Sequence, residues 1–308
     1  MENKIRVLVL LSTYNGEKYL LEQLNSIFCQ KGVDVSLLIR DDGSTDSTVE
    51  ILNNIARVKS NVEILTEKNV GFVRSFSNLI LYVTNSLKYS SFNYFAFADQ
   101  DDIWLCNKLE KTISEIKSLN QSKPNLCACN SMLVDKNGVF FGIYLKSILS
   151  LNPDRISFSK GKLLCSGVFQ GCSLTFNRTA LELYAKHLPQ NSWHDRWLIL
   201  ICSFFGNIRV IGEPLFKYRI HGDNTLGDSI GKDHFWNKVF KFFSNPSREN
   251  HIAMAIEFQN IFFSELSKED HILINVYKNY PHSFVAKIKF FLSGKYTNSI
   301  SCIIKNLI

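Results

Sequence analysis

The sequence predicts an α/β fold, a mostly parallel central sheet with helices on both faces, followed by a helical C-terminal extension. Three observations carry this reading. In the first third of the chain, short continuous apolar runs alternate with amphipathic segments, and each run ends in a polar cluster. From about Thr225 onward the apolar spacing becomes helical throughout. Runs that are apolar on both faces are what a parallel sheet covered by helices requires. With 308 residues, 45% hydrophobic and 20% charged, the chain holds enough apolar material for one large domain and a smaller appendage.

The elements follow in order. Arg6–Leu11 is a short apolar strand, and Tyr14-Asn15-Gly16 after it is a turn. Tyr19, Leu20, Leu24, Ile27 and Phe28 recur at helical spacing. Ser36–Arg40 is a second strand, ended by Asp41-Asp42-Gly43-Ser44. Asp46 is a natural N-cap for a helix carrying Val49, Ile51, Leu52 and Ile55. Val62–Leu65 is a third strand, Phe72–Leu87 a helix, Tyr94–Ala98 a fourth strand and Asn107–Leu119 a helix. A less regular middle follows: Leu126–Val134, a turn at Lys136-Asn137-Gly138, and a long loop to about Gly161. Gly171–Phe176 and Leu215–Tyr218 read as strands, and Ala180–His187 and Asp195–Phe205 as helices. Ile252, Ala255, Ile256, Gln259, Phe262, Phe263 and Leu266 place a helix in the extension. In such sheets ligands bind beyond the carboxyl ends of the strands, where Ser12–Asn15, Asp41–Ser44 and Asp99–Asp102 converge.

The formal charge of +7 is spread along the chain without a basic block, which argues against a nucleic-acid partner. It suits a diphosphate ligand or an anionic membrane surface equally. The eight cysteines form no CxxC pair and no zinc-finger spacing, so reduced structural thiols in a cytoplasmic protein are expected. Cys127 and Cys129 would share one strand face. The run Val7–Leu11 is too short for a signal-peptide core, and runs such as Trp197–Phe205 are too short to span a bilayer.

The segment Phe97-Ala98-Asp99-Gln100-Asp101-Asp102-Ile103-Trp104 is the strongest chemical signal. A strand ending in alternating carboxylates presents hard oxygen ligands, and Mg²⁺ or Mn²⁺ takes one or two of these and fills its shell with water and phosphate oxygens. A solvated acidic turn is the bland reading. In Asp41-Asp42-Gly43-Ser44-Thr45-Asp46, Asp42 suits hydrogen bonding to a nucleobase or ribose, although turn chemistry alone also accounts for the cluster.

Taken together, Leu11–Gly16, Arg40–Asp46 and Ala98–Trp104 resemble, in order and spacing, the family 2 glycosyltransferases of the GT-A fold, over about residues 5–225. The form Ala-Asp-Gln-Asp-Asp-Ile-Trp is similar to a bacterial rhamnosyltransferase-like branch that builds surface polysaccharides. The resemblance implies an inverting transfer from a nucleotide-sugar donor, dTDP-rhamnose first and UDP-hexose next, assisted by a divalent metal. The implied acceptor is a glycan or an undecaprenyl-diphosphate-linked saccharide. It further implies that Ser12, Tyr14, Asp42 and Asp99 bind the nucleotide sugar, with Asp101 serving the metal. Lys68-Asn69-Val70-Gly71 resembles the family's Asn-x-Gly element, without a role assigned to each residue. The family's general base lies in a Glu-Asp pair at a helix start. Here the match is Trp193-His194-Asp195-Arg196-Trp197, with His in place of Glu and Asp195 as the catalytic residue. A helix start favours an ionised, proton-accepting carboxylate, and an N-cap would use the same Asp.

In Tyr218-Arg219-Ile220-His221-Gly222-Asp223-Asn224, Arg219 or His221 would meet the leaving diphosphate, or His221 would complete the metal shell. Gly171-Cys172-Ser173 resembles the acceptor-side strand, its small residues leaving room near the anomeric carbon. The expected division is a catalytic domain at 1–225, nucleotide-sugar binding to about 105 and acceptor side beyond it, with a helical extension at 226–308. In the extension, Phe284, Val285, Ile288, Phe291 and Leu292 form an apolar stripe beside Lys287, Lys289 and Lys295. That stripe suits packing on the catalytic domain or a peripheral contact with the inner face of the cell membrane. Two rival classes are a nucleotidyltransferase, which would open on a Gly-rich basic loop absent here, and an inactive carbohydrate- or nucleotide-binding module.

Overall fold

The computed structural model describes residues 4–144, 160–165, 169–190, 192–221 and 248–279. Strands β1 (Ile5–Thr13), β2 (Val33–Asp41), β3 (Val62–Thr66) and β4 (Tyr94–Ala98) lie in the order β3-β2-β1-β4, every neighbouring pair parallel. Helices α1 (Leu20–Phe28), α2 (Thr48–Val58) and α3 (Phe72–Asn85) make the crossovers. The N-cap of α2 is Ser47 rather than the expected Asp46, whose carboxylate accepts the Thr48 amide at 3.0 Å from one residue earlier.

Past β4 the sheet becomes mixed. The two-residue β5 (Ile103–Trp104) is followed by α4 (Lys108–Lys117) and then β6 (Asn125–Val134), which pairs with β7 (Phe140–Tyr144) as a hairpin. Short helix α5 (Lys160–Cys165) precedes β8 (Leu174–Asn177), antiparallel to both β4 and β6. Helices α6 (Arg178–Lys186) and α7 (His194–Phe205) lead to β9 (Asn207–Arg219), parallel to β6 and antiparallel to β5. Two C-terminal helices, α8 (Arg248–Ile261) and α9 (Lys268–Asn279), follow.

Several expectations need correction. Gly171–Ser173 is a 3₁₀ turn and only the residues after it form a strand. Strand β9 begins eight residues before the expected Leu215, because its first half pairs with β6 despite half-exposed side chains that give a weak apolar signal. The β6–β9 register shifts opposite Pro214, whose missing N–H cannot join the ladder. Strand β7 and α5 fall in what reads as loop, since β7 is mostly exposed and lacks alternation. Gly222-Asp223-Asn224 and the stripe from Phe284 lie outside the described residues.

Alternate residues of β1 feed two cores. Val7, Val9 and Leu11 pack with Leu20, Leu24, Ile27, Leu52, Leu109 and Ile113, the faces of α1, α2 and α4. Leu8 and Leu10 face Phe76, Tyr184, Trp197 and Leu198 of α3, α6 and α7. Met254, Phe258, Phe262 and Ile274 of α8 and α9 belong to this second core. Phe258 meets Trp197 at 5.4 Å and Phe262 at 4.7 Å between ring centroids. The described extension thus packs on the sheet-bearing body. No described helix is long and apolar enough to cross a membrane. The six cysteines with described side chains are all free.

Phe258 is fully buried at this junction. Phe258→Ala is expected to cost about 3–5 kcal/mol. Differential scanning calorimetry should show the main unfolding transition moving down, because the helix and the sheet share one core.

Candidate active site

Three loops at the carboxyl ends of β1, β2 and β4 are laced together. The Gln100 side chain accepts the Tyr14 amide at 2.9 Å and donates back to the Tyr14 carbonyl at 3.0 Å. Asn15, held at φ 46°, accepts the Thr45 amide at 2.8 Å, and its own amide donates to Ser44 Oγ at 2.9 Å. The left-handed region is open to Asn because its side chain bonds locally. A Cβ on Gly16 would lie 2.3 Å from Gln100 Oε1, so the Tyr14–Gln100 clasp requires a glycine there.

Asp41 is buried and serves the turn. Its carboxylate accepts Thr13 Oγ1 at 3.0 Å and the amides of Gly43 and Ser44 at 3.2 and 2.9 Å. Asp42, expected at the nucleobase, is also buried. It accepts the amides of Val70 and Gly71 at 2.9 and 2.8 Å and pairs with the buried Arg40. Arg40 in turn donates to Ser75 Oγ at 3.1 Å, and Ser75 shares a 2.6 Å bond with Ser12. Ser12 and Asp42 therefore belong to one network, with the Lys68–Gly71 element docked on it. The Tyr14 ring stays 48% exposed beside them.

The acidic loop is sorted by depth. Asp101 and His221, the two expected metal ligands, meet directly, Nε2 to Oδ2 at 2.7 Å. Asp102 is fully buried and accepts the Arg219 amide at 3.3 Å. Burial, with Asp101 nearby, raises the Asp102 carboxyl well above the usual range. Burial and the same neighbour bring Asp99 up to about 7, and Asp195 adds to the effect. The base expected on α7 and the acidic loop therefore sense each other.

Two donor sets are candidates for a cation. Asp99, Asp102 and Cys172 have ligand atoms within 4.8 Å of one another. Burial keeps the Cys172 thiol protonated, its pKa well above the ordinary value. A protonated thiol is a poor metal ligand. Asp101 with His221 offers a carboxylate and an imidazole at a part-buried edge, the donor types that suit Mn²⁺ and allow water and phosphate to finish the shell.

Arg219, expected at the diphosphate, is buried and directed into the loop itself. Nε donates to the Asp101 carbonyl at 2.8 Å, one terminal nitrogen donates to the Lys136 carbonyl at 2.9 Å, and the other pairs with Glu22. Its guanidinium also lies 4.7 Å over the Tyr19 ring. Sequence reasoning missed Glu22, Tyr19 and Lys136 as its partners, since nothing in their local pattern points across the sheet.

Asp195 lies in the first turn of α7 and accepts the Arg196 amide at 2.7 Å. The cap position is Trp193, which makes no side-chain cap bond, so Asp195 is not the N-cap. His194 is buried and stacks on Phe76 at 4.0 Å between centroids. A Cβ on Gly171 would stand 2.8 Å from His194 Nε2 and 3.5 Å from Asp195 Cβ, so this glycine makes room for the imidazole. The approach to α7 is pinned from the extension. Glu257 of α8 accepts the Gln190 amide and, at 3.1 Å, the Ser192 hydroxyl, while His251 meets Arg196.

Burial lowers the His194 pKa from 6.5 to about 4. The folded state then binds fewer protons than the unfolded state between these values. The associated stability is complete above about pH 6.5 and is lost as pH falls toward 4, on the order of 3 kcal/mol. His194→Phe should keep the ring stack and remove this term. Urea unfolding of the two proteins at a series of pH values would show a stability difference that changes across that window.

Comparison with known proteins identifies the family and the fold. The family model described as Glycosyl transferase family 2 matches residues 8–148. A dTDP-rhamnosyl transferase, RfbG of Shigella flexneri, is 39% identical over 232 residues, covering 71% of this chain and 74% of its own. The Escherichia coli UDP-Glc:alpha-D-GlcNAc-diphosphoundecaprenol beta-1,3-glucosyltransferase WfgD is 25% identical, covering 78% and 87%. Among solved structures, S. aureus TarS 1-349 in complex with UDP-GlcNAc superposes with a TM-score of 0.61 at 16% identity, over 99% of this chain and 82% of that one. This likeness fixes the fold as GT-A. The chain belongs to glycosyl transferase family 2, with bacterial rhamnosyl- and glucosyltransferases among its relatives, and this membership sets the nucleotidyltransferase alternative aside.

Proposed function

We propose that the enzyme performs an inverting transfer from a nucleoside-diphosphate sugar to an acceptor hydroxyl in bacterial surface polysaccharide synthesis. dTDP-rhamnose is the first donor to test and a UDP-hexose the next. The acceptor is a glycan or an undecaprenyl-diphosphate-linked saccharide, met in the cytoplasm at the inner face of the cell membrane. The observation that carries the reading is the placement of Asp195 in the first turn of α7, its Cβ 3.5 Å from where a Cβ on Gly171 would stand, next in the chain to Cys172, which lies with Asp99 and Asp102 of the acidic loop.

In this mechanism Asp195 takes the proton of the acceptor hydroxyl as that oxygen attacks the anomeric carbon. The bond from that carbon to the diphosphate oxygen breaks, and its electron pair leaves with the nucleoside diphosphate. Ser12, Tyr14 and Asp42 hold the nucleoside side, Tyr14 with its exposed ring and Asp42 through the Lys68–Gly71 element that it anchors. Asp99 faces the ribose and diphosphate. A divalent cation, Mn²⁺ or Mg²⁺, would be held by Asp101 and His221 and would supply neutralisation of the charge that grows on the leaving group. Arg219 acts as a positioning residue, fixing the Asp101 backbone from beneath. The division at about residue 225 separates the glycosyl-transfer machinery from the helical extension.

The test is release of nucleoside diphosphate from dTDP-rhamnose and UDP-glucose with Mn²⁺ or Mg²⁺ and after chelation. One donor should turn over, and chelation should stop it. Asp195→Asn should lower kcat by about 10²–10⁴-fold. The thermal shift produced by dTDP or UDP with metal should persist in that variant. Near-normal turnover by folded Asp195→Asn would remove the base assignment.

A further inference from the structure

Two large aromatic side chains stand exposed beside the candidate base and touch each other. Phe72, the first residue of α3, is 50% exposed, and Trp193, directly before α7, is 39% exposed. Their rings meet edge to face at 5.9 Å and 80°. Behind them the rings continue inward. His194 lies 6.2 Å from Phe72, stacks on Phe76 at 15°, and meets Phe97 of β4 at 5.1 Å. A ladder of rings thus runs from the buried sheet to the surface. Its outer end is fixed further by the bonds of Gln190 and Ser192 to Glu257.

We propose that Phe72 and Trp193 form the platform on which the acceptor's terminal pyranose ring stacks, presenting a hydroxyl to Asp195. This rests on the reading of Asp195 as the acceptor-side base. A pyranose carries an apolar C–H face and polar edges, and sugar sites match it with aromatic faces beside a few polar groups. Two rings cover far too little area for a protein interface. A nucleobase is the other flat ligand of such an enzyme, but an exposed aromatic ring, Tyr14, already stands at the end of β1 among the loops assigned to the nucleoside. Trp193, by contrast, is tied to Asp195 through the start of α7. Rings held from behind lose little freedom on binding, which favours a preformed platform.

Saturation-transfer NMR with methyl α-L-rhamnopyranoside, methyl β-D-glucopyranoside and methyl N-acetyl-α-D-glucosaminide, each in the presence of UDP or dTDP, tests this. At least one glycoside should receive saturation at its ring C–H protons. Trp193→Ala and Phe72→Ala should weaken its binding by about tenfold, the scale for truncating a well-placed aromatic anchor. Trp193→Phe should keep most of it. Nucleotide signals should be unchanged in all three variants, whose half-exposed sites leave the core intact. The proposal is overturned if no glycoside is saturated in the wild type, or if both alanine variants bind it as the wild type does. It is equally overturned if nucleotide signals disappear with the glycoside, an outcome that gives the rings to the base. Asp195→Asn keeps the glycoside signal under the proposal, so a failed kinetic role for Asp195 and a failed platform are separate results.

Discussion

Four carboxylates gathered at one sheet edge repel one another and resist burial, and the surrounding architecture answers that constraint. Asp99, Asp101 and Asp102 are consecutive or nearly so, and Asp195 approaches from another helix. Two lose charge readily because burial favours the neutral form. Arg219 threads beneath the loop and binds its backbone, while Glu22 balances the guanidinium from α1. Lys108 is buried nearby with Nζ 3.6 Å over the Trp104 ring, and burial lowers its pKa. The bonds of Arg219 hold the strongly acidic turn from its buried side.

The parallel half of the fold, β1 to β4, was legible in the sequence because its signals are local. Each parallel strand is a continuous apolar run, each ends in a recognisable turn, and the motifs sit where the strands stop. The carboxylate of Asp46 at the start of α2 follows from residue type and order. The mixed half past β4 was harder to read. Strand β9 carries half-exposed side chains along its first part, β7 is mostly exposed, and Gly171–Ser173 folds into a tight turn to clear the His194 ring. These shapes are set by partners far away in the chain, and local periodicity does not encode such partners.

The same limit explains Arg219 and Asp42. Both residue types suit phosphate or base recognition, so the motif alone points outward to a ligand. In the folded chain each also points inward, Arg219 to the Asp101 and Lys136 carbonyls and Asp42 to the amides of Val70 and Gly71. Charged side chains at such sites shape the loops that surround the substrate as well as touching it, and the first role is invisible until the loops are placed.

Helix α8 reaches across to the start of α7 through Glu257 and His251. The loops after β1, β2 and β4 are laced to one another. Under the proposed function, α8 therefore bears on the acceptor side, from a stretch of chain distant from those loops. Under that reading, drift along α8 re-aims the acceptor end, a route by which one catalytic body acquires new glycosidic linkages from inherited chemistry.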